Sequence, residues 1–161
     1  MNMNKVQLVR LRLDTSIQKC RLHLQRIHYA SNQLADLFPL TVDKYNSFSE
    51  ATIGHVDQLV FRFTKLQDEI GNTSFRLLLE FLEEDIDNKP FRDILNILER
   101  LQIIDLSDDW LIMREIRNDL AHEYPMMVDE TIEKLNLLYT KLLPLEQILA
   151  TIEQKANQYK Q

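Results

Sequence analysis

The 161-residue chain fits one domain, and its 45% hydrophobic residues supply a real core. A single cysteine excludes an intramolecular disulfide, and no segment approaches the ~20 apolar residues that a membrane-crossing helix needs. The net charge of −6 weighs modestly against a general nucleic-acid binder, but it is unevenly spread: up to Pro39 six Lys or Arg stand against two acids (+4), and beyond it thirteen stand against twenty-three (−10).

The chain has only two glycines and four prolines, so turns that need positive φ should be few and elements long. The opening residues hold no long apolar run with a small-residue cleavage site, so no secretory signal is expected and the chain reads as cytoplasmic. Over residues 4–37, Val6, Val9, Leu13, Ile17, Cys20, Leu24, Ile27, Leu34 and Leu37 recur at helical spacing. That helix should end near Phe38, because Pro39 pushes its predecessor out of the α region. At ~1.5 Å per residue it would span roughly 50 Å, long enough to call for a partner subunit over its overhang. Its positive charge has two readings: a dock for an anion such as RNA, or ordinary cover for an exposed face.

"PLTVDKYNSF" reads as a connection, after which Ser47 and Glu50 match a capping box. The second helix buries Ile53, Val56, Leu59, Val60, Phe63, Leu66 and Ile70, and Gly71 is a natural stop. A third, near residues 74–86, turns Phe75, Leu78, Leu79 and Leu82 inward before "DNKP" breaks it. Pro90 opens a short helix that closes near Leu101. Ser107 caps the next, whose buried stripe is Trp110, Leu111, Met113, Ile116 and Leu120 and whose end is Pro125. The last runs over residues 129–154, with Pro144 expected to kink it. No strand pattern, repeat or low-complexity linker interrupts this order. The chain therefore reads as all-α, a single antiparallel up-and-down helical bundle over residues 1–161.

One stretch exceeds what a bundle needs. "REIRNDLAHEYP", residues 114–125, gathers Arg114, Arg117, Asn118, His122 and Tyr124 at the end of a helix. Asn118 and His122 are i, i+4 neighbours, Arg117 and Tyr124 lie nearly on one face, and Arg117 and His122 are about 140° apart around the axis. These groups flank the strip of Ile116 and Leu120. The stretch is either a solvated helix end or a site. As a helix end, His122 complements the negative C-terminal dipole, Arg114 and Arg117 pair with neighbouring acids, and Tyr124 stacks on the core.

"RNDLAHEY" contains Arg117, four residues, His122, one residue and Tyr124. This resembles the Arg-x4-His-x-Tyr signature of HEPN-domain toxins of the HepT type, bacterial ribonucleases paired with an MNT-class nucleotidyltransferase antitoxin. An asparagine after the arginine, here Asn118, is common in that family. The resemblance rests on about residues 107–145. It implies a HEPN-like, homodimeric fold and metal-free cleavage of RNA, with tRNA a candidate target. It also implies that Arg117, His122 and Asn118 are catalytic, and that the antitoxin uses ATP to place AMP on Tyr124. The chemistry is coherent: an imidazole moves protons near neutral pH, and a guanidinium holds crowded phosphate oxygens. Because Arg117 and His122 diverge around one helix, two copies facing each other across a dimer make the better cleft. A relative that only binds substrate for a nucleotidyltransferase is the alternative, and a plain helical interaction module is a third.

Elsewhere the sequence is quieter. His23, His28 and His55 form no metal spacing and receive no role, and Cys20 belongs to the core. No HExxH, CxxC or glycine-rich phosphate loop occurs, so no metal or cofactor is expected. Arg62 and Lys65 either extend a phosphate track or sit idle on the surface.

Overall fold

A computed structural model describes residues 4–123 and 128–159. Every regular element among them is helical: α1 (Lys5–Leu34), α2 (Val42–Asn46), α3 (Glu50–Glu69), α4 (Phe75–Phe81), α5 (Phe91–Arg100), α6 (Ser107–Glu123) and α7 (Val128–Gln158). None of them is long and apolar enough to cross a membrane.

Local chemistry sets the ends. Asn4 opens α1 with a reciprocal capping box: its side chain accepts from the Gln7 backbone at 2.8 Å, and the Gln7 side chain accepts from the Asn4 backbone at 3.0 Å. A 3₁₀ turn, Ala35–Leu37, closes the helix before extended Phe38. The stretch read as a plain connection carries α2, capped by Thr41. Ser49 rather than Ser47 caps α3, accepting from Thr52 at 3.2 Å. Pro90 occupies the cap position of α5, one residue earlier than expected. At the head of α6, Ser107 donates both its N–H and its hydroxyl to Glu99, and those donors hold the Glu99 carboxyl below its ordinary range.

Two expectations fail for identifiable reasons. Gly71 does not stop its helix. α3 passes through a π turn, Ile70–Ser74, straight into α4, and no glycine has positive φ. Gly71 is needed for space instead: a Cβ there would lie 2.9 Å from Cζ2 of Trp110. The turns that do need positive φ use Glu83, Asn88 and Gln102. Glu83 and Gln102 sit where glycine usually ends a Schellman motif. The following amides reach back five residues, Glu84 to Leu79 at 3.0 Å and Ile103 to Leu98 at 2.9 Å. Hence α4 ends at Phe81, short of the 86 expected. α7 continues through Pro144 to Gln158.

Cross-links give the topology. Tyr29 meets His55, Arg62 meets His23, and Ser16 meets Glu69, so α1 and α3 run antiparallel. Arg10 reaches Asn157, Arg21 reaches Glu153, and His28 reaches Glu146, so α1 and α7 are antiparallel too. Lys134–Asp119 and Lys141–Asp109 set α7 against α6 in the same sense. The core is one cluster, with Leu13, Phe63, Leu66, Leu78, Ile94, Trp110 and Ile152 at its centre. Cys20 is inside it, and burial pushes its thiol up to about 12.

Half of the basic residues of α1 are engaged by the fold itself. Arg10 binds Asp14 and the end of α7, Arg21 binds Glu153, and Lys5 faces Glu80.

Candidate functional site

α6 is amphipathic in the expected register. Trp110, Met113, Ile116 and Leu120 are buried, while Asn118 and His122 are exposed. Arg117 lies between these faces. It reaches across to α3, where Nη1 donates to Oε1 of Gln67 at 2.7 Å and also pairs with Asp68. Its Nε and Nη2 both donate to Oδ1 of Asn118, at 3.1 and 2.8 Å. A guanidinium has five N–H donors. These contacts occupy four, so one Nη2 hydrogen remains for another acceptor.

Gln67 is 1% exposed, and Arg117 satisfies its buried carbonyl. Arg117 therefore fixes α6 against α3 as well as carrying charge. Asn118 braces that guanidinium. His122 stands on the solvent side, five residues and about 140° further around the helix. Tyr124 lies outside the described residues. Ile116 and Leu120 are 1% and 3% exposed inside a single chain, so the face that α6 leaves open lies elsewhere on the helix.

The neighbours of Arg117 were not legible as a site. A cleft of about 210 Å³ lies between α6 and the π turn, lined by Gln67, Gly71, Asn72, Arg76, Phe91, Trp110, Arg114 and Arg117. Trp110, Arg114 and Arg117 are spaced i, i+4, i+7, so one stripe of α6 forms one wall. The Arg114 guanidinium lies 5.4 Å from the centre of the Phe91 ring. That spacing was the available signal, but Arg114 read as an ordinary surface residue. No residue of α1 lines the cleft.

The other basic candidates are occupied. Arg62 donates to Nδ1 of His23 at 3.2 Å and lies over Phe61, which Lys65 also approaches. His28 pairs with Glu146. Among the described residues, no group of three His, Cys, Asp or Glu could hold a metal ion. Comparison of the chain with known protein families, curated proteins and solved structures gives no match.

Proposed function

We propose that the chain is a metal-independent ribonuclease of the HEPN, HepT-type class, working as a homodimer. One observation carries this reading: the Arg117-x4-His122 pair occupies the last turns of α6, with Arg117 braced by Asp68, Gln67 and Asn118 and His122 exposed. In the reaction a ribose 2′-oxygen attacks the adjacent phosphorus and the bond from phosphorus to the 5′-oxygen breaks. One His122 takes the 2′-hydroxyl proton, and the departing 5′-oxygen gains a proton from the second copy. The products are a 2′,3′-cyclic phosphate and a 5′-hydroxyl. Arg117 offers its remaining Nη2 hydrogen to the phosphate oxygens.

The two-fold contact uses the exposed stripe of α6 with Ile112, Glu115, Asn118 and His122, which brings both histidines toward the axis. The partner enzyme is an MNT-class nucleotidyltransferase. It transfers AMP from ATP to the Tyr124 hydroxyl, releasing pyrophosphate and filling the cleft with charge. Incubation of wild type and His122→Ala with total RNA tests the proposal, since cleavage should require the histidine.

A second reading has its own support. The pairing of Arg117 with Asp68 neutralises the charge that a catalytic arginine would offer. This favours a non-catalytic HEPN partner that binds substrate for a nucleotidyltransferase. That protein would leave RNA intact even at high concentration.

A further inference from the structure

We propose that the cleft between α6 and the π turn is a phosphoryl-binding site for a nucleotide phosphate, held by Arg76, Arg114, Asn72 and the indole N–H of Trp110. The charge is unbalanced toward the anion. Of the three arginines that line the cleft, only Arg117 is paired with a carboxylate among the described residues. Arg76 and Arg114 enter no ion pair there, although the chain as a whole is acidic.

The second observation is independent of charge. Trp110 is 1% exposed, and its Nε1 is buried with no hydrogen-bond partner among the described residues. A buried donor without an acceptor carries a desolvation cost, and an acceptor that enters the site removes it. The indole edge that carries Nε1 faces Gly71: a Cβ there would lie 3.7 Å from Nε1 and 2.9 Å from Cζ2. Gly71 lines this cleft, so the orphaned donor lies just behind the cleft's wall, and an acceptor reaches it once the wall gives slightly.

The remaining wall suits the same ligand. Asn72 offers an amide, and Phe91 offers an aromatic face beside the Arg114 guanidinium. At about 210 Å³ the cleft is smaller than the ~300–1,000 Å³ of sites for drug-sized ligands. It therefore takes a phosphoryl group and the sugar next to it, not a whole dinucleotide. The source is either a free nucleotide or a phosphate of an RNA strand, and the inference does not depend on whether the chain cuts RNA.

Trp110 is the single tryptophan, so its emission reports the site directly. Inorganic phosphate, AMP and an eight-residue oligouridylate are titrated separately into the full chain, with calorimetry in parallel. At least one probe should bind saturably, with a change in Trp110 emission. Arg76→Gln and Arg114→Gln, each checked for helicity, should weaken binding about tenfold or more. Arg26→Gln, on exposed α1, should leave it within twofold. Binding of phosphate or AMP identifies a mononucleotide source, and binding of the oligouridylate alone identifies an RNA backbone. No saturable binding of any probe, or equal weakening by Arg26→Gln, overturns the proposal. Loss of RNA cleavage in His122→Ala with probe binding intact separates this site from the catalytic reading.

Discussion

Arg117 on α6 pairs with Asp68 on α3, joining the motif helix to the long hairpin of the bundle. The same guanidinium satisfies the buried carbonyl of Gln67. One residue thus serves fold and site together, and its variants separate the two roles.

Arg117→Ala leaves Gln67 buried without its donor, which costs about 1–3 kcal/mol. Its melting temperature should fall along with RNA cleavage. Asp68→Asn keeps the Gln67 contact and removes only the opposing charge. It should cleave RNA at least as fast as wild type. Parallel loss of stability and activity in Asp68→Asn would make Arg117 purely structural.

Gly71→Ala places a methyl group 2.9 Å from Cζ2 of Trp110. The ring is buried between the π turn and Phe75, so it has little room to yield. Denaturant melts should show a loss of about 1–3 kcal/mol, with a shift in tryptophan emission. An unchanged midpoint would mean that the π turn relaxes freely.

Burial, followed by the Arg62 charge, lowers the pKa of His23 from its ordinary value of 6.5. The unfolded chain therefore binds the proton first. The His23 contribution is complete above pH 6.5, shrinks as pH falls toward the folded value, and levels off below it. His23→Gln should flatten the stability profile just below pH 6.5, measured by urea melts at fixed salt. A wild-type profile that rises on acidification through that range would contradict this.

Light scattering at micromolar concentration should report a dimer, and Glu115→Arg with Ile112→Asp should dissociate it without loss of helicity. A wild-type monomer that cleaves RNA would remove the shared-cleft geometry.

If the proposed function holds, co-expression with an MNT-class nucleotidyltransferase should add the mass of one or more AMP units to Tyr124 and end RNA cleavage. Tyr124→Phe should keep cleaving RNA and escape this neutralisation. Unmodified Tyr124 in a neutralised protein, or AMP on another residue, would leave binding alone as the means of control.

The helices were legible because their stripes repeat at helical spacing over long runs, as from Val56 to Ile70 and from Trp110 to Leu120. Their joints were not. A π turn satisfies its own backbone, so Gly71 looks like a stop when the chain in fact continues. Glu83 and Gln102 take positive φ because the Schellman bonds around them outweigh the preference for glycine. Within the motif, the position of Arg117 could be read but its partners could not, since Gln67 and Asp68 are fifty and forty-nine residues away along the chain. The Arg76–Arg114 cleft was hidden for the same reason: it exists only once α4 and α6 meet.

Under the proposed function His122 performs metal-free cleavage of RNA. The direct measurement is the cleavage rate of end-labelled RNA in excess EDTA, wild type against His122→Ala, with both proteins confirmed folded. EDTA should leave the wild-type rate unchanged, and His122→Ala should lose about a hundredfold or more. Dependence on a divalent metal, or near-wild-type cleavage by His122→Ala, would contradict it.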